Sequence, residues 1–158
     1  MAQGVSLRRL AADSDGDRAT WLAVRELCCR TGNGGEPIAR ERWPLFERIW
    51  IEPYQLLLPE WSYVALAGER VVGYLTGCPD TVSFTRRRWL RWTLPLLRQI
   101  AFGDYRGDGY GQGFMRQALW LESSVERRFP RPLQRQLLRQ FPAHLHMNVD
   151  AAHRRSGI

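Results

Sequence analysis

The chain has 158 residues, 44% of them hydrophobic and 25% charged, a balance that supports one folded domain and excludes an intrinsically disordered chain. No run of about 18 apolar residues occurs, so no membrane-spanning helix and no membrane partner are expected, and residues 1–14 lack the apolar stretch of a signal peptide. The net charge of +7 is uneven: residues 1–80 carry 9 Arg and 11 acids, residues 81–158 carry 14 Arg and 5 acids.

Every basic residue is arginine, so each cation is a permanently charged fork suited to carboxylates and phosphates. Three cysteines, Cys28, Cys29 and Cys78, offer neither a zinc spacing nor a disulfide framework. They read as thiols in a reducing cytoplasm.

Val5–Leu10 alternates apolar and polar residues, the mark of a strand. Asp13, Ser14, Asp15 and Asp17 are cap-type residues before a helix that runs to about Arg30. Trp21, Val24 and Cys28 should be its buried positions, and Gly32-Asn33-Gly34-Gly35 should stop it. A second helix spans Ile38 to about Trp50, with Pro44 in its first turn. Two strands follow, Ser62–Ala67 and Val71–Gly77, joined through Gly68-Glu69-Arg70.

Thr81–Ala101 reads as an Arg- and Trp-rich helix, with Trp89, Trp92 and Leu96 on its buried face and the arginines solvated opposite. Gly103–Gly113 holds five glycines and reads as a mobile loop. Phe114–Arg128 and Leu133–Phe141 read as helices. His144–Val149 should be a central strand with Leu145, Met147 and Val149 facing the core, and Asp150–Ile158 a loop.

The final segment is the most informative. An Arg-x-x-Gly element directly after an apolar strand can present backbone N–H groups in one concavity, a cradle for a pyrophosphate. Glycine there lets the backbone approach the phosphates closely. Asp80, at a strand end before Thr81, reads as a helix cap and as an acceptor-binding or base carboxylate, and the two roles are compatible. His144 and His146 share one strand face, but no further ligand lies at a compatible spacing, so no metal site is expected. His146 is a candidate for proton transfer.

Val149-x-x-x-x-Arg154-x-x-Gly157-Ile158 resembles the acetyl-CoA loop of the GNAT acetyltransferase superfamily. Cys29-Arg30-Thr31-Gly32-x-Gly34-Gly35, Pro53-Tyr54 with Pro59-Glu60, and Gly73-Tyr74-x-x-Gly77-x-x-Asp80-Thr81-x-x-Phe84 follow in order. Trp92-x-Leu94-Pro95-x-Leu97-Arg98 and Pro142-Ala143-His144-Leu145-His146 complete a set that resembles the acetyltransferase-like domain found beside O-GlcNAc hydrolases, and its free-standing bacterial relatives. Asn148 stands where those relatives usually carry Asp, and Ala151 where many carry Pro.

The resemblance implies an α+β fold, a mixed and mostly antiparallel sheet flanked by helices. It implies one GNAT-like domain over 1–158 with a helical insertion at about 81–141, the chain looking like the front two-thirds of such a domain and incomplete at its C-terminus. It further implies N-acetyl transfer from acetyl-CoA to an amine acceptor in the cytoplasm, with no metal. Met147, Asn148 and Val149 would line the cofactor, Arg154, Arg155, Ser156, Gly157 and Ile158 would cradle its pyrophosphate, and Asp80 and His146 are the candidate catalytic groups. The alternative is a non-catalytic acyl-CoA- or protein-binding module. A nucleic-acid partner rests on charge alone and ranks last; a homodimer is left open.

Overall fold

The computed structural model describes residues 4–11, 15–120 and 129–155. The chain forms two compact units, Met1–Cys78 with Leu145–Ile158, and Pro79–His144. The first holds a sheet of order β1-β2-β3-β4, where β1 is Val5–Arg9, β2 Ser62–Ala67, β3 Arg70–Cys78 and β4 His144–Val149. β1 pairs antiparallel with β2 from Val5 opposite Ala67 to Arg9 opposite Tyr63. β2 pairs antiparallel with β3, and the turn between them places Gly68 at φ 62°, a left-handed conformation that glycine adopts without strain.

The register of β2 and β3 shifts between Ala65 and Leu66, which face Gly73 and Val71. Val72 is thus the extra residue of a bulge. Its carbonyl accepts the Asp150 N–H at 2.8 Å, and the Thr76 hydroxyl donates to the His146 carbonyl at 3.3 Å. Both bonds fix β4 antiparallel to β3.

Helix α1, Asp15–Thr31, lays Trp21, Val24, Leu27 and Cys28 into a core with Leu10, Ile51, Val64, Val71 and Tyr74. This is the i, i+3, i+7 face read from the sequence. Asp13 and Ser14, expected as cap residues, lie outside the described residues. Asp17 is buried; its carboxylate accepts from the Ala11 N–H at 2.8 Å and pairs with Arg8.

After a single 3-10 turn at Arg40–Arg42, α2 runs Trp43–Trp50 with Pro44 in its first turn, where a missing N–H costs nothing. A short helix that the sequence reading missed, α3 at Glu52–Leu57, follows directly. Pro53 sits at its start for the same reason, and Tyr54 is buried.

The second unit is helical: α4 (Thr81–Arg88), a π turn (Trp89–Thr93), α5 (Leu94–Phe102), α6 (Gly109–Trp120) and α7 (Arg131–Gln140). Pro95 explains the π turn. A proline ring crowds the carbonyl one turn before it and offers no N–H, and the wider turn, closed by the Leu94 N–H on the Trp89 carbonyl, relieves both. The same turn corrects the expected buried face. Trp92 and Leu96 are buried, but Trp89 is 37% exposed, because a π turn spreads i, i+3 neighbours around the axis.

A second correction concerns Gly103–Gly113, expected as a loop. Helix α6 begins at Gly109. Asp108 makes this possible: its carbonyl accepts the Gln112 N–H at 2.9 Å and its carboxylate the Gly111 N–H. Phe114 then meets Trp92 edge-on at 6.1 Å. Cap and packing outweigh the glycine entropy. The helix expected to Arg128 is seen to Trp120, and 121–128 lie outside the described residues. Among the described residues no helix is long and apolar enough to cross a membrane.

Candidate functional site

Strand β4 departs from its expected orientation. Leu145 and Met147 are 57% and 51% exposed, whereas His146 and Asn148 turn toward the packed side, and β4 ends the strand order rather than sitting within it. The physical reason is an aromatic shelf. The His146 ring sits 5.4 Å from Trp50 and 5.6 Å from Tyr74, the latter edge-on, and Asn148 Nδ2 donates to the Tyr74 hydroxyl at 2.9 Å. Ring contacts for His146 and a hydrogen bond for Asn148 hold these two side chains on the inner face. Val149, half-buried, lies against Gly73 on the face opposite Tyr74 and Asn148, so it too departs from the expected core-facing place.

Tyr74 and Cys28 share the buried core, so the Asn148 bond reaches from β4 into that core through Tyr74. Burial pushes the Cys28 thiol up to about 11 and Cys29 up to about 12, and it pushes Tyr74 well above the usual phenol range. These groups stay neutral. Burial also lowers His146 to about 4, so its imidazole is neutral at pH 7, and its Nδ1 is buried with no hydrogen-bond partner among the described residues.

The loop after β4 is held at its first residue. The Asp150 carboxylate accepts from Arg70 at 2.8 Å, from Arg30 at 3.5 Å and from the Ala152 N–H at 3.1 Å. Partial burial would raise this carboxyl, but the Ala152 N–H and the Arg70 guanidinium hold it below the usual range. Arg154 turns back: its Nε donates to the Val149 carbonyl at 3.2 Å and its Nη2 to the Gly35 carbonyl at 3.0 Å. Arg155 is exposed, carries no ion pair among the described residues, and takes φ 66°, a left-handed conformation uncommon for a side chain of its size. Ser156, Gly157 and Ile158, the rest of the expected cradle, lie outside the described residues.

Asp80 belongs to the second unit. Its carboxylate caps α4 by accepting the Ser83 N–H at 3.1 Å, and its bonds to the Ser83 hydroxyl and N–H hold it below the usual carboxylate range. His144 is engaged there too, Nδ1 lying 2.7 Å from the Thr81 hydroxyl. Among the described residues no group of three or more His, Cys, Asp or Glu could hold a metal ion.

Trp50, Tyr74, Cys28, Arg70 and Gly35 complete the surroundings of β4 and its loop, and the sequence reading placed none of them at the candidate site. Tyr74 stood inside a quoted motif. Its partnership with Asn148, 74 positions away, follows only from the strand register.

No family model matches the chain. Among solved structures, SsHAT is similar over 98% of this chain and 70% of its own, with a TM-score of 0.66 and 22% identity. That likeness carries the architecture: the α+β chain, with its four-stranded antiparallel sheet flanked by helices, has an acetyltransferase-like fold.

Proposed function

We propose that the chain is an N-acetyltransferase of the GNAT type, moving an acetyl group from acetyl-CoA to an amine. The observation that carries this is the junction at Val149–Arg155. A strand at the end of the order runs into a loop pinned by Asp150 to Val72, Arg70 and Arg30. Arg155 stands there as an exposed cation on a left-handed backbone. Such a loop suits an anionic, extended cofactor, with backbone N–H groups and one guanidinium for the pyrophosphate. Arg154 has another duty, bracing the loop against Gly35 and Val149.

Acetyl-CoA supplies the thioester when bound. The protein must position it beside a neutral amine and accept a proton. Met147 presents an exposed side chain, and Asn148 and Val149 complete the strand expected along the cofactor. His146, neutral and with an unpartnered Nδ1, is assigned the proton-accepting role. Asp80 serves α4 as its cap.

A second reading has a specific observation behind it. Burial leaves His146, Cys28 and Tyr74 all far from a neutral-pH titration, which fits a module that binds an acyl-CoA without turning it over. One experiment separates the two: calorimetry with acetyl-CoA, followed by thiol release across a panel of small and peptidyl amines. Binding with release supports the transferase, binding without release the module, and no binding overturns both.

A further inference from the structure

The second unit contains a cavity of about 780 Å³ between α4 with its π turn and α7. It lies within the roughly 300–1,000 Å³ that small-molecule sites occupy. Val82, Trp89 and Leu90 form one wall, Leu137 and Leu138 the other. All five are between 37% and 60% exposed, an apolar concavity that water alone fills poorly. The outward turn of Trp89, imposed by the π turn, puts an indole in this wall.

Four polar side chains line the cavity, Thr81, Thr85, Arg86 and Gln134, and of these Arg86 alone carries a charge. Arg86 lines it and has no ion-pair partner among the described residues. Gln134 spends one N–H on the Phe129 carbonyl at 2.6 Å and keeps the other. Residues 81–102 and 131–140 contain no acid, while α4 and the π turn carry Arg86, Arg87, Arg88 and Arg91, and α7 carries Arg131, Arg135 and Arg139. An apolar body with a single anionic head matches that lining. A lone guanidinium fork fits a carboxylate bidentately.

We propose that this cavity binds a free medium-chain carboxylate, a fatty-acid-like amphiphile with its chain between α4 and α7 and its head on Arg86. The proposal is independent of acetyl transfer.

Calorimetry of the whole chain with dodecanoate below its micellar concentration should show saturable one-site binding. Dodecyltrimethylammonium, with the same chain and the opposite head, should bind at least about tenfold more weakly. Arg86→Gln should weaken dodecanoate by at least about tenfold, since the charged bidentate contact is lost. Leu137→Glu should abolish binding, and Leu90→Glu, at a 59% exposed position, gives the same test should the first variant misfold. Brominated dodecanoate should quench fluorescence in the parent chain and lose most of that quenching in Trp89→Phe.

Equal affinity for the two amphiphiles, binding unmoved by these variants, or quenching retained in Trp89→Phe would each overturn the proposal. So would uptake only by anionic lipid vesicles, or a dimer of this chain that buries Trp89 and excludes the carboxylate.

Discussion

Tyr74 and Asn148 face each other across β3 and β4, the amide donating to the phenol at 2.9 Å while the Tyr74 side chain sits in the core with Cys28. The pair ties the strand that carries the candidate site to the helix that carries the core. Asn148→Ala should cost about 1–2 kcal/mol by leaving a buried hydroxyl short of its donor. Tyr74→Phe should cost a similar amount, and the double variant should cost less than the two together. Urea unfolding of the four proteins measures the coupling; strict additivity would show that the bond carries no energy.

His146 sets a pH dependence of known sign. Its pKa is about 4 in the folded chain against an ordinary 6.5, so between those values the unfolded chain binds more protons. Stability should therefore be complete above about pH 6.5 and fall as the pH drops toward 4. The loss is up to about 3 kcal/mol. His146→Phe keeps an aromatic ring beside Trp50 and Tyr74 and should flatten this window. Melting temperatures at pH 7 and pH 5 for both chains decide it.

Asp150 should behave as a clasp rather than a stabiliser of the whole fold. Its partners Arg70 and Arg30 are 58% and 38% exposed, and exposed pairs contribute little. Asp150→Ala should cost about 1 kcal/mol or less. It should nonetheless speed hydrogen exchange at Ala152 and His153, whose N–H groups bond the Asp150 side chain and carbonyl. Unchanged exchange at those amides would remove the clasp.

Gly32 is a position where no side chain fits. A Cβ there would lie 2.6 Å from Phe46 Cζ and 3.0 Å from the Cys28 carbonyl oxygen. Gly32→Ala should destabilise by about 1–3 kcal/mol through overpacking, and Phe46→Leu in the same chain should recover part of it. Denaturant midpoints report both.

The two tryptophans of the π turn should part company. Trp92 is 3% exposed and meets Phe114 edge-on, so Trp92→Ala should cost about 3–5 kcal/mol. Trp89→Ala should cost well under half of that. Comparable losses would place both indoles in the core.

Local patterns in the sequence were enough for the elements that depend on local patterns. The face of α1 was legible because Trp21, Val24 and Cys28 repeat at helical spacing, and the β2–β3 hairpin because Gly68 interrupts two apolar runs. The phase of Trp89 was not, although Pro95 signals a disturbance one turn ahead of itself. The orientation of β4 misled for a deeper reason. Leu145, Met147 and Val149 look like the buried set, yet His146 and Asn148 take the inner side because Trp50 and Tyr74 await them, and those residues come from elements tens of positions away. Tertiary partners, not hydrophobicity, choose the face. The cap role of Asp80 was readable beforehand; the bracing of Gly35 by Arg154, 119 positions apart, was not.

The first unit is assembled from both ends of the chain, with Pro79–His144 intervening, and that order has a consequence during synthesis. β1, β2 and β3 emerge first and can pair at once, but the outer edge of β3 stays open until β4 arrives. At roughly 5–20 residues per second the ribosome needs several seconds to make the intervening helices. Throughout that interval Val71, Val72 and Tyr74, which the finished protein buries, lie along an unpaired edge, the kind of surface on which chains pair with their neighbours. The nascent protein is therefore most exposed to aggregation between the synthesis of β3 and that of β4, and the arrival of β4, with its long-range pairing, is the step that ends that exposure.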